Sequence, residues 1–233
     1  LNLDVHGPSI LRANMRYAGA IRIDHVMGLS RLYIIPDDGK EGTYIRYNEK
    51  DMMNILALES YLNKCVVVGE CIGNVADGFQ KMLTDRNIYS LGVLWAERKD
   101  ASGTMKAPNE YEKKYFASVG THDMPPLKAW WFGTEIATMK NLGFYGEEET
   151  KRAYQHREHE RRLLLEALDR EGVWPNDKWR KSDYMYGEGY PEGIEEAVHA
   201  YMAKSNSEVF MLQPEDIFQS WIPACSDRIT AGR

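Results

Sequence analysis

Residues 20–36 read AIRIDHVMGLSRLYIIP. A short apolar run stops at Ile23, and two titratable residues, Asp24 and His25, follow at once. The chain then turns apolar again through an aromatic-rich segment. Four other runs share this form: KCVVVGE (64–70), NIYSLGVLW (87–95), KYFASVG (114–120) and SEVFMLQ (207–213). Most are too continuously apolar for a half-exposed antiparallel sheet and suit parallel strands buried on both faces.

Amphipathic segments lie between the runs. Residues 9–18 place Leu11, Met15 and Ala18 on one face, with Ser9 as the expected N-cap. Residues 49–63 carry Met52, Ile55, Leu56 and Leu62, and residues 77–86 carry Phe79, Met82 and Leu83. Residues 147–170 carry Tyr154, Leu164, Leu165 and Leu168, and residues 191–204 carry Ile194, Val198, Tyr201 and Met202. Each stripe has helical spacing and is expected to face a core. Alternating strands and helices predict βα units around a parallel sheet, either open and doubly wound or a (β/α) barrel. Polar residues close nearly every strand: Asp24 and His25, Glu70, Glu97, Thr121 to Asp123, then Gln213, Glu215 and Asp216. That is the pattern of a barrel, whose strand ends open on one face. A dinucleotide fold would carry G-x-G-x-x-G after a strand, and the sequence has none. A complete barrel spends about 30 residues per unit, so the five visible strands predict an α/β chain forming a partial TIM (β/α)8 barrel.

With 29 Lys and Arg against 35 Asp and Glu, the net charge is −6. No basic stripe is present that could follow phosphates. The densest basic segment, HREHERR (156–162), is interleaved with Glu and reads as the solvated face of a helix. No apolar run approaches the ~20 residues of a membrane span, and LNLDVHGPS lacks the features of a signal peptide. Three cysteines, Cys65, Cys71 and Cys225, without CxxC spacing argue for a reducing compartment, and the expected location is cytoplasmic.

Three carboxylates at strand ends suggest glycosidic-bond chemistry. One attacks the anomeric carbon, a second protonates the leaving oxygen, and in retaining enzymes the two stand ~5–5.5 Å apart. Arg22 lies two residues before Asp24, on the same strand face, and is expected to keep it ionised. Glu70 follows the apolar CVVVG, so burial is expected to raise its pKa as a general acid requires. A strand-end carboxylate can also simply cap the next helix. A metal-hydrolase reading remains open, with Asp24, His25, Glu70, His122 and Asp123 as ligands. Against it, no His-x-His pair opens a strand.

At RIDHVMGLSRLYIIP the chain resembles the 4-α-glucanotransferases of glycoside hydrolase family 77, the amylomaltases or disproportionating enzymes. The likeness continues through GTYIRYNEKDMMNILALES (42–60), VVVGECIGNV (66–75), THDMPPLKAWW (121–131) and VFMLQPEDIF (209–218). It looks closest to the bacterial maltodextrin-metabolising branch. The resemblance implies Asp24 as nucleophile, Glu70 as acid/base and Asp123 as transition-state stabiliser. It implies Arg22 supporting Asp24, His122 and His25 near the sugar, and Tyr44 offering its ring to a glucose unit. The implied partners are an α-1,4-glucan or maltodextrin donor and a glucose or maltodextrin acceptor, with no metal or organic cofactor. Three places depart from the family pattern: Cys71 stands where the family has Asp, Pro126 where it has Thr, and WIPACSDRITAGR where it has N-x-P-G-T.

By this analogy the five strands are strands four to eight. Residues 1–233 are then one incomplete catalytic barrel domain lacking the first three strands, and the isolated polypeptide is expected to be inactive or poorly soluble without that half. The other readings are an α-glucan hydrolase and a catalytically silent glucan-binding fragment.

Overall fold

The computed structural model describes residues 3–37, 39–173 and 189–221. Cys225 and the end of WIPACSDRITAGR lie outside them. The five anticipated strands are present as β1 (Ala20–Ile23), β4 (Val66–Gly69), β5 (Tyr89–Val93), β6 (Tyr115–Ser118) and β7 (Val209–Met211). They form one sheet in the order β1-β4-β5-β6-β7. β1 pairs in parallel with β4, and β4 with β5. Strand order, parallel pairing and flanking helices make this a partial (β/α)8 barrel.

The chain divides into two compact units. The first comprises residues 1–91 and 114–116, the second residues 92–113 and 117–233. In the first unit, α1 (Leu3–Met15), α2 (Glu49–Asn63) and α3 (Phe79–Thr84) accompany β1 and β4. Met15, Val26, Met53, Leu56, Val67 and Leu83 are among its buried core residues. Two helix expectations need correction here. α1 begins at Leu3 with Pro8 inside it, so Ser9 is not a cap. The buried Met15 and the bond from Arg12 to Glu59 hold α1 to its neighbours despite the local break. On α2 the buried stripe is Met52, Met53 and Leu56, while Leu62 faces out with Leu58 and Tyr61.

The first unit also holds an antiparallel hairpin not anticipated from the sequence, β2 (Arg31–Ile34) with β3 (Thr43–Arg46). The runs RLYII and TYIRY around a Pro- and Gly-containing connection were its signal.

In the second unit, α4 (Leu127–Phe132), α5 (Thr134–Asn141), α6 (Glu147–Arg170), α7 (Ile194–Ala203) and α8 (Pro214–Ile217) follow in order. Leu164, Leu165 and Leu168 of α6 and Ile194, Val198, Tyr201 and Met202 of α7 are buried as their spacing predicts. HREHERR is not simply solvated. Arg157 donates to the Trp130 carbonyl and to Glu135, Glu160 pairs with Arg98, and Arg161 lies over the Trp131 ring at 5.3 Å. Long cationic side chains can cover apolar surface while their heads stay polar. Charge alternation alone did not reveal which of them do. No helix among the described residues is long and apolar enough to cross a membrane.

The Arg12 guanidinium holds the buried Glu59 carboxyl below the usual carboxylate range, chiefly through their hydrogen bond. A carboxyl depressed in the folded state contributes stability that is present above its unfolded pKa and lost as pH falls through the folded one. Glu59→Gln is therefore expected to lower Tm at neutral pH. The gap from the unsubstituted protein should narrow as pH drops below the glutamate range. Calorimetry across pH checks this, and a gap independent of pH would contradict it.

Candidate active site

The parallel register sets Arg22 opposite Val68 and Ile23 opposite Gly69. The ladder continues past the strands, with the Glu70 N–H donating to the Ile23 carbonyl at 2.9 Å and the Val26 N–H to the Glu70 carbonyl at 3.0 Å. Arg22 and Asp24, two apart, share a side of the strand, and β4 brings Glu70 alongside.

One guanidinium then serves both carboxylates. Arg22 Nη1 lies 2.8 Å from Asp24 Oδ1, and Nη2 lies 3.0 Å from Glu70 Oε2. The planar fork of Arg suits two acceptors at once, which a Lys ammonium would not match. The Asp24 side chain is 77% exposed and that of Glu70 24%. The surroundings of Glu70 are thus more polar than the preceding CVVVG suggests. Its Oε2 takes the Arg22 contact and the backbone N–H of His25 at 2.9 Å. No described residue hydrogen-bonds Oε1.

His25 contributes its backbone to this arrangement. It adopts φ 44°, ψ 58°, a left-handed conformation uncommon for a residue with a Cβ. That turn ends β1, aims the His25 N–H at Glu70 and delivers the buried Val26 against β4. The close approach requires glycine at position 69. A Cβ there would lie 2.8 Å from Val26 Cγ1 and 3.0 Å from Val26 Cβ.

Cys71 is buried beside Glu70. Burial pushes its thiol up to about 11, and the Glu70 charge adds to the effect. At neutral pH the position therefore carries no charge, unlike the Asp of the family pattern.

Tyr44 sits on β3 of the hairpin, 52% exposed. Tyr33 and Tyr44 pack as an edge-to-face pair with ring centroids 5.1 Å apart, and the Arg31 guanidinium lies over the Tyr44 ring at 4.7 Å. Those contacts hold the ring on the hairpin.

In the second unit, His122 Nε2 lies 3.2 Å from Asp123 Oδ2, both side chains being well exposed. They ride on a turn closed by the Met124 N–H donating to the Thr121 carbonyl at 3.0 Å. Asp216, expected among the strand-end polar groups, is instead buried, with Oδ1 accepting the Leu127 N–H at 2.6 Å. Glu97 pairs with Lys106 at 2.6 Å. Sequence reading did not anticipate either interaction, because neither partner is near in the chain or on a shared motif. Among the described residues no group of three His, Cys, Asp or Glu is placed to hold a metal ion.

The family model described as 4-alpha-glucanotransferase, glycoside hydrolase family 77, matches residues 8–227. A 4-alpha-glucanotransferase of Haemophilus influenzae is 32% identical over 236 residues, covering 95% of this chain and 33% of that protein. One from Mycobacterium bovis is 36% identical over 140 residues, 58% of this chain and 19% of that protein. The structure is similar to the crystal structure of amylomaltase from Corynebacterium glutamicum, with TM-score 0.77 and 27% identity. The match covers 94% of this chain and 34% of that one. The chain thus spans about a third of the length of the Haemophilus relative.

Gly69→Ala is expected to force Val26 from its seat, an overpacking that costs roughly 1–3 kcal/mol. Urea denaturation measures the loss, and faster hydrogen exchange at the His25 amide would accompany it. For Cys71, iodoacetamide labelling of the folded protein, read by peptide mass spectrometry, should be slow at pH 8. It should rise only as pH approaches the raised thiol value of about 11. Rapid labelling at pH 8 would show the thiol to be open.

Proposed function

The chain belongs to glycoside hydrolase family 77, the 4-α-glucanotransferases, and from that premise we propose that it carries the reacting carboxylates of a retaining transglycosylase acting on α-1,4-glucans. Asp24 attacks the anomeric carbon of a maltodextrin donor, forming a covalent glycosyl ester as the glycosidic bond breaks. Glu70 gives its proton to the departing 4-oxygen. A 4-hydroxyl of glucose or another maltodextrin then loses its proton to Glu70, and its oxygen displaces Asp24, so the new bond keeps the original configuration.

The observation that carries this reading is the Arg22 fork joined to both Asp24 and Glu70, at 2.8 and 3.0 Å. Two carboxylates on one guanidinium stand close together, as the retaining geometry asks, whereas inverting enzymes hold theirs apart to admit a water. Asp123 is the proposed stabiliser of the oxocarbenium-like charge, with His122 beside it for sugar hydroxyls. Tyr44 and His25 are the proposed contacts of the donor's glucose units, the Tyr44 ring being 52% exposed. The reading of residues 1–233 as one incomplete catalytic barrel domain lacking the first three strands is supported by the five-stranded sheet. Two free, buried thiols, Cys65 and Cys71, support a cytoplasmic location.

The test is disproportionation of maltotriose by the natural gene product, followed by chromatography of the dextrins. Longer and shorter products should form with little net rise in reducing ends. A steady rise in reducing ends would mean hydrolysis instead. Asp24→Asn and Glu70→Gln should each lower kcat by at least about 10³-fold, as loss of one member of a nucleophile and acid pair does. Arg22→Lys should be impaired as well, because an ammonium cannot span both carboxylates. Unchanged turnover in Asp24→Asn would remove the nucleophile assignment.

A further inference from the structure

The turn bearing His122 and Asp123 has an exposed outer side, and its own hydrogen bonds are few. Its closing bond is Met124 N–H to the Thr121 carbonyl, and the Asp123 N–H reaches Thr121 Oγ1 only at 3.4 Å. Pro125 and Pro126 then remove two backbone donors before α4 begins at Leu127. A segment so sparsely bonded to itself needs outside support to hold a catalytic side chain within the roughly 1 Å that orientation demands.

That support comes from the short stretch between β7 and the first turn of α8. Gln213 Nε2 donates to the Thr121 carbonyl at 3.2 Å, the same oxygen that closes the turn. Its Oε1 lies against Gly120, where an added Cβ would sit 2.9 Å from it. Three residues on, Asp216 Oδ1 accepts the Leu127 N–H at 2.6 Å, at the far end of the segment. Asp216 is itself immobilised. It is 1% exposed, and its Oδ2 faces His199 Nε2 of α7 at 3.8 Å, neither atom having a hydrogen-bond partner among the described residues. His199 is oriented in turn by Nδ1 against the Glu195 carbonyl at 2.7 Å.

We propose that Gln213 and Asp216 are positioning residues for the reaction, a two-point clamp that grips Thr121 and Leu127 and so fixes where His122 and Asp123 stand. This rests on the proposed role of Asp123. The clamp joins the strand-end segment after β7 to the one after β6, so that the register of two neighbouring strands sets the placement of one catalytic loop. Neither residue touches substrate in this account. Asp216 is distinguished from an ordinary helix cap by its partner, Leu127, which begins a helix 89 positions earlier in the chain.

The experiment compares Gln213→Ala, Gln213→Glu, Asp216→Ala and Asp216→Asn in the natural gene product. It reads kcat and KM for maltotriose transfer together with hydrogen exchange of peptides covering 121–127. Gln213→Ala is expected to lower kcat roughly 10- to 100-fold, with KM within about twofold, and to speed exchange in that segment selectively. Gln213→Glu, which keeps the size but loses the donor, should behave alike. Asp216→Asn keeps an acceptor for Leu127 and should retain most of the kcat that Asp216→Ala loses. If Asp216→Ala fails to fold, the Gln213 pair and Asp216→Asn still decide. Unaltered exchange at 121–127 in both Gln213 variants overturns the clamp. Faster exchange with unchanged kcat overturns its role in positioning. If the unsubstituted protein transfers no glucan, the glucanotransferase reading fails and the catalytic part of this inference with it, while exchange still reports on the clamp.

Discussion

The contact of Val26 with Gly69 is the constraint from which the polar arrangement follows. Parallel pairing of β1 with β4 aligns Ile23 and Gly69, and only a residue without a Cβ lets the chain after β1 turn back onto β4 at that point. The left-handed His25 makes the turn, and its N–H meets Glu70 as a result. Arg22, Asp24 and Glu70 are then brought onto one guanidinium fork. A left-handed non-glycine residue costs on the order of 1 kcal/mol, which the burial of Val26 and the bond to Glu70 offset.

The second unit reaches a comparable result by different means. After β1, a backbone N–H bonded to a carboxylate fixes the segment that follows the strand. After β6, the Leu127 N–H does the same with Asp216, while Gln213 holds Thr121. After β6 the exposed His122 and Asp123 are held by the half-buried Gln213 and the buried Asp216, whereas after β1 Glu70 is itself partly buried and Asp24 is the exposed carboxylate. Precision comes from the supporting groups, and access from the loops.

Much of this was legible from sequence because it depends on period and termini. Continuous apolar runs located all five sheet strands, and α2 and α6 match the segments read at 49–63 and 147–170. The carboxylates at strand ends stood out because apolar runs led into them. What stayed hidden depends on partners distant in sequence. Nothing local in α2 decides that Met53 is buried and Leu62 exposed, since both extend apolar stripes and only the packed neighbours choose between them. The β2–β3 hairpin was obscured because its tyrosines are surface rings rather than an alternating core pattern. Asp216 read only as one of the polar residues closing the last strand, because its burial and its Leu127 partner are visible only in three dimensions. Glu70 read as lying in an apolar pocket because a preceding valine run says nothing of an arginine on the adjacent strand.

The charge count at Arg22 bears on the difference at position 71. One guanidinium lies between Asp24 and Glu70, at 2.8 and 3.0 Å. An aspartate at position 71 would add a second negative charge beside Glu70, and a neutral thiol does not. Cys71 thus leaves the Arg22 cation as the charged neighbour bonded to Glu70. Its own part is packing: it belongs to the buried cluster with Val26 and Val67, next to the strand end that carries Glu70.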